Sequence, residues 1–224
     1  MRAACLAFAS GALPAMAAAH PLLASLLARI GREFDPLELI AALVSAWAVW
    51  LTARRSMWSW PLGLLSVLLY LLVFAQSKLY SDALLQGIYV LLVGYGWWRW
   101  RQRLDDGGRV IVAPLPRGAL SRGLLAGALL SVLLGAWMHA YTDAALPWLD
   151  ASLTAYSLVA QWWQDRRHLA AWWLWIVVDV IYIGEYINKQ LWITAVLYAV
   201  FVWLAVLGLR HWRRAQRDAP EVTP

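Results

Sequence analysis

The stretch SAWAVWLTARR, residues 45–55, returns as SLVAQWWQDRR, residues 157–167. Ser45 pairs with Ser157, Trp50 with Trp162, and Arg54-Arg55 with Arg166-Arg167, all at an offset of 112. Working outward, the same offset pairs Trp60 with Trp172, Tyr70 with Tyr182, Gly96 with Gly208 and Trp100 with Trp212. An arginine pair and a glycine held at one offset mark an internal repeat, and a long period of this kind decides an architecture before any single element is assigned.

Apolar residues make up 62% of the 224-residue chain and charged residues 14%, against about 25% charged in an ordinary soluble domain. That excess has no polar surface to cover it, so a soluble globule is excluded. Intrinsic disorder, whose signature is low hydrophobicity, is excluded with it. Seven segments reach the roughly 20 mostly apolar residues a spanning helix needs: about 36–53, 57–76, 79–98, 118–139, 146–164, 170–188 and 191–209. Each copy of the repeat holds three of them, and segment 118–139 lies between the copies. Three helices are an odd number, so one spacer helix brings the second copy into the orientation of the first. The expected fold is an all-α integral membrane protein of seven helices, two parallel three-helix repeats joined by a linker helix (3+1+3). Parallel repeats about an axis along the membrane normal are a transporter architecture, with the substrate between the repeats near mid-membrane.

The expected organisation is an apolar or amphipathic segment 1–35, a first repeat 36–100, a cytoplasmic loop 101–117, the linker helix 118–139, a second repeat 146–212 and a cytoplasmic tail 213–224. Asp105-Asp106-Gly107-Gly108, Pro114 and Pro116 mark the 99–117 break as an exposed loop. Numbering the breaks alternately puts 2+6+2+4 = 14 Lys and Arg on one side and Arg2, Arg29, Arg32, Lys78 and Lys189 on the other. The positive-inside rule places the richer side in the cytoplasm, hence the N-terminus in the periplasm and the C-terminus inside. The net charge of +6 is thereby assigned to topology, not to nucleic acid. Residues 1–31 open Met-Arg, run apolar and contain Ala15-Met16-Ala17; a surface helix, a cleaved signal, an eighth span and a mis-assigned start all remain open. Gly123, Gly127, Ser131 and Gly135 give segment 118–139 a close-packing face, directed at the repeats or at another subunit.

Trp172, Trp175, Asp179, Tyr182 and Tyr186 follow at steps of 3, 4, 3 and 4, one face of a helix. A carboxylate at membrane depth costs at least about 2.5 kcal/mol on insertion scales, so Asp179 faces the bundle interior or a wet cavity. Aromatic faces beside a carboxylate suit a flat organic cation. Asp82, Gln86 and Tyr89 share a face of segment 79–98, and the Gln86 amide both donates and accepts. Ser66 and Tyr70, and Thr194 and Tyr198, occupy repeat-related regions as weaker candidates. Trp173 and Trp192 read as interfacial belt residues. The substrate-binding set is thus Trp172, Trp175, Asp179, Gln86, Tyr89, Ser66, Tyr182 and Tyr198. No H-E-x-x-H, G-x-S-x-G or P-loop occurs, the four His are scattered and Cys5 is alone, so no catalytic residue, metal or cofactor is expected. An integral-membrane enzyme using Asp179, Asp82 or Glu185 is the competing class, and a membrane sensor a weaker one.

With those residues in view, the chain resembles the PnuC family of vitamin-precursor transporters over about residues 36–214. The resemblance rests on Trp172-x-x-Trp175-x-x-x-Asp179, on Lys78-Leu79-Tyr80 with Leu84-Leu85-Gln86, and on Tyr95-Gly96-Trp97-Trp98-Arg99-Trp100. It implies the 3+1+3 fold, a homotrimer, and uptake of nicotinamide riboside across the bacterial inner membrane by facilitated diffusion, trapped by a cytoplasmic kinase and feeding NAD biosynthesis. Asp179 stands where nicotinamide riboside members usually carry Asn, and Ser66 where an Asn is common. Relatives take thiamine or riboflavin. Nicotinamide riboside and thiamine are both flat cations; a carboxylate speaks against neutral riboflavin.

Overall fold

The computed structural model describes residues 36–76, 80–142, 146–188 and 192–218. The readings of residues 1–31 and of Lys78-Leu79 fall outside them. The described residues form seven helices and no strand: α1 (Pro36–Ala53), α2 (Ser59–Gln76), α3 (Tyr80–Arg101), α4 (Ala119–Tyr141), α5 (Pro147–Asp165), α6 (Ala170–Asn188) and α7 (Trp192–Arg217). The chain divides into two compact units after Ile40. Of the first, only the opening turn of α1 is described; everything below concerns the second, from Ala41.

The solvation pattern is inverted relative to a soluble protein. Leu125, Leu129, Val132 and Leu133 of α4 and Val177, Val180 and Ile181 of α6 lie on the outside, while Thr52, Ser66, Ser157, Asp165, Asp179 and Glu185 are buried. Lipid rewards that arrangement, because polar groups must find partners internally. By length and composition, α4, α6 and Thr194–Arg217 of α7 are long and apolar enough to cross a membrane; α1, α2, α3 and α5 fall short of the same measure. For α5 the reason is polar residues that are turned inward, not outward. It packs against α3, α4 and α6 and is the central helix of the unit.

The small face of α4 packs against α5. A side chain at Gly123 would collide with Trp163, one at Gly127 with Tyr156 and one at Gly135 with Trp148. Of the two readings of that face, helix packing within the chain is the one realised.

Helices α1 and α5 end alike. Arg55 and Arg167 take left-handed backbone, φ 61° and 66°, where glycine is the usual residue. At each, the following amide bonds back five residues, Ser56 to the Leu51 carbonyl and His168 to the Trp163 carbonyl. The arginine side chains offset the backbone cost. Arg55 donates to the Val110 carbonyl at 3.0 Å and Arg167 to the Ile111 carbonyl at 2.9 Å. The 102–118 connection is largely exposed, as its composition suggested, but two of its residues are anchored. Val110 and Val112 are buried, and the amides of Val110 and Ala113 bond to the carbonyls of Arg55 and Arg167. His168 bonds the Ala113 carbonyl on the same strap; burial, with Arg166, Arg167 and Arg99 nearby, holds its pKa below the ordinary imidazole value.

Four tryptophans knot the helices beside these turns. Trp60 meets Trp100 edge-on at 4.9 Å, Trp100 meets Trp212 at 5.7 Å, and Trp212 meets Trp172 edge-on at 5.5 Å. Trp100 donates to the Gln164 carbonyl and Trp212 to the Thr52 carbonyl, each at 3.1 Å. Gly96 lies under the Trp60 ring and Gly208 under the Trp172 ring, with no room for a Cβ. Every one of these contacts is matched 112 residues away.

Candidate functional site

Asp179 sits mid-way along α6 and is buried. Nothing in the sequence of α6 could hide it; the packing of α5 and α7 on that helix does. From α3, Tyr89 comes within electrostatic reach of Asp179, and its phenol interacts with Ser157 of α5. From α7, Tyr198 lies in reach of the same carboxylate. Three of the expected site residues, Tyr89, Asp179 and Tyr198, thus converge from three helices, with Ser157 added by a fourth.

Toward the end of α6, the tyrosines form an aromatic wall. Tyr182 and Tyr186 stack at 5.8 Å, and both rings lie 5.0 Å from that of Tyr198, which meets Phe201 at 5.6 Å. Glu185 is buried in the same region and bears on Tyr182. On the other side of Asp179, one helical turn away, the indole N–H of Trp175 donates to the Gln164 side-chain oxygen at 3.0 Å. That bond fixes the plane of a half-buried ring and ties α6 to α5.

The remaining expected residues are placed differently. Trp172 is 1% exposed and belongs to the tryptophan knot against Trp212, so the structure separates it from Asp179 although both lie on one helical face. Ser66 is buried, and its hydroxyl bonds the Ala41 carbonyl at 3.4 Å, joining α2 to α1. Gln86 is half-buried on α3, one turn before Tyr89. Tyr70 and Thr194 are half-buried, and Asp82 lies in the first turn of α3. Trp173 is 51% exposed, as a lipid-interface residue should be.

The polar stripe of α5 was missed by reasoning from residue type. Asp150, Thr154, Ser157, Gln161 and Asp165 recur at steps of 4, 3, 4 and 4. Their spacing is a legible signal, since an apolar helix with one continuous polar edge must face a partner or a path. Asp165 has no equivalent in the first copy of the repeat, where Ala53 stands. Among the described residues no group of His, Cys, Asp and Glu has the arrangement to hold a metal ion.

The arrangement, aromatic rings around a buried carboxylate, suits binding of a flat organic cation. Comparison with known proteins agrees. The nicotinamide mononucleotide transporter family matches residues 35–214. The riboflavin/roseoflavin transporter RibM of Streptomyces davaonensis is 28% identical over 176 residues, 75% of this chain and 81% of that protein. The nicotinamide riboside transporter PnuC of Escherichia coli is 21% identical over 213 residues, 84% of this chain and 89% of that protein. The crystal structure of the vitamin B3 transporter PnuC superposes with a TM-score of 0.69 at 23% identity, covering 86% of each chain, which establishes a shared fold. The chain belongs to the nicotinamide mononucleotide transporter family, the PnuC group, and is an all-α membrane transporter, not an enzyme.

Proposed function

We propose that this chain admits nicotinamide riboside across the bacterial inner membrane by facilitated diffusion, with phosphorylation by a cytoplasmic kinase trapping the substrate. The observation that carries the reading is Asp179, a buried carboxylate within reach of the Tyr89 and Tyr198 rings and one turn from Trp175. A pyridinium ring is flat and cationic. Stacking and cation–π attraction hold it at roughly 0.5–2 kcal/mol per contact, and a carboxylate takes its charge or a ribose hydroxyl. Gln86 and Tyr182 complete the proposed set, with Ser66 and Trp172 acting through the packing that positions their neighbours. The protein works as two parallel three-helix repeats, α1–α3 and α5–α7, joined by α4. It assembles as a trimer, with its N-terminus in the periplasm and its C-terminus in the cytoplasm. The paired contacts at offset 112 support the repeat, and the 14-to-5 division of basic residues supports the orientation.

A neutral substrate is the second reading, because a relative 28% identical is a riboflavin/roseoflavin transporter. Thiamine, a flat cation, is the third. Binding titrations of purified protein with nicotinamide riboside, thiamine and riboflavin separate them. Nicotinamide riboside should bind saturably and riboflavin weakly; tight riboflavin binding with none of the cations would overturn the assignment. Asp179→Asn keeps shape and removes charge, so it should move preference toward nicotinamide riboside over thiamine. An unchanged uptake ratio in competition would remove Asp179 from selectivity.

A further inference from the structure

Asp165 is the last residue of α5 and is 0% exposed. Its Oδ1 accepts a 2.7 Å hydrogen bond from the Gln161 amide, and its Oδ2 has no hydrogen-bond partner. Neither neighbouring arginine is committed to it. Arg166 lies over the Trp162 ring at 4.2 Å, and Arg167 bonds the Ile111 carbonyl. A buried carboxylate without a counter-charge is costly, several kcal/mol in real proteins. The fold does not require one, since Ala53, equally buried, fills the equivalent place in the first copy.

Ser157, Gln161 and Asp165 follow at spacing four on the central helix. At 1.5 Å per residue, Asp165 lies about 12 Å along α5 from Ser157, which meets Tyr89 beside Asp179. Trp60 lies at the Asp165 end of that stripe. The Trp60 ring tip and Asp165 Oδ1 crowd the same side of Gly96, the carboxylate oxygen 2.6 Å from where a Cβ would stand. The Trp60 indole N–H, like Oδ2, is buried without a hydrogen-bond partner.

We propose that Asp165 is a second station for the positive charge of the substrate, at the arginine-turn end of the α5 stripe, occluded here by Trp60 and reached when that ring leaves Gly96. This rests on the reading of the chain as a carrier of a flat cation. It adds a residue that acts on passage, not on first capture at Asp179.

The test uses full-length protein in proteoliposomes, comparing wild type with Asp165→Asn and Asp165→Glu, and entry of nicotinamide riboside and thiamine with that of riboflavin. For Asp165→Asn, initial rates of cation entry should fall by about tenfold or more while equilibrium affinity changes by less than about threefold. Riboflavin entry, if present, should be spared, and Asp165→Glu should restore most of the cation flux. Unchanged cation rates in Asp165→Asn, or equal losses for cation and neutral substrate, would overturn the proposal in favour of a packing role. A second measurement needs no variant. Carbodiimide labelling of Asp165 in the wild type, read by mass spectrometry, should fall when nicotinamide riboside or thiamine is present and not with riboflavin. Labelling indifferent to the cations sinks the station even where the variants do not fold. Wild-type protein that admits none of the three substrates would instead overturn the transport assignment itself, and the station with it.

Discussion

Trp175 shows how a single side chain serves both packing and recognition. Its ring leans on both buried clusters of the bundle, and its N–H is spent on Gln164. Trp175→Ala should weaken substrate binding by about 1–3 kcal/mol, summing lost burial and lost aromatic attraction. Trp175→Phe should recover most of that loss, because it restores the face without the N–H. Calorimetric titration of the two variants checks this; equal affinities for wild type and Trp175→Ala would exclude the ring from the site. Asp179 and Asp165 illustrate the other residue-scale rule. A carboxylate inside a bundle is retained only where something compensates it. Here neither has a side chain of opposite charge nearby in sequence, within two helical turns, apart from Arg166 and Arg167, which are engaged elsewhere.

At the scale of elements, the glycines sort into two classes. Gly96 and Gly208 are the flat places on which Trp60 and Trp172 lie, whereas Gly63 and Gly184 have nothing within 4 Å of where an added methyl would stand. Gly96→Ala and Gly208→Ala should each destabilise the folded protein by about 1–3 kcal/mol, since the methyl meets a rigid indole. Gly63→Ala should be neutral or slightly stabilising, through a stiffer unfolded chain. Thermal unfolding in detergent distinguishes them, and equal midpoints for all three variants would contradict the close contact. The strap after α3 belongs to this scale as well. Its composition announces an exposed loop, which most of it is; Val110 and Val112 are buried within it where two arginine turns, 112 residues apart, supply carbonyl partners and guanidinium donors.

For the whole molecule, the tryptophan knot ties α3 to the end of α5 and α7 to the end of α1 through reciprocal bonds, Trp100 to the residue 164 carbonyl and Trp212 to the residue 52 carbonyl. In the proposed reading of two three-helix halves, this knot is a junction about which they would rock. Transport should be passive. Proteoliposomes without a kinase should equilibrate substrate to equal concentrations, and accumulation under an imposed pH or sodium gradient would refute this. A reporter fused after Arg217 should be active only when it functions in the cytoplasm; periplasmic activity would reverse the orientation.

Helix positions were legible in the sequence because lipid imposes a length and a composition on each span, and the breaks carry the charges. The seven expected segments fall within a few residues of the observed helices except at the end of α7, which continues to Arg217 past its apolar part. The matched residues at one offset were legible too. Asp179 as an interior group followed from cost alone. The fate of Trp172 did not, because a helical face runs the whole length of its helix and only the neighbours decide which part of it meets a cavity and which meets Trp212. Nor did the importance of α5: a helix reads as marginally apolar until α3, α4 and α6 surround it and turn its polar edge into an interior. Sequence determines which groups must be hidden, since transfer energies belong to residues. Tertiary structure decides what they are hidden against, since that depends on pairs of residues far apart in the chain.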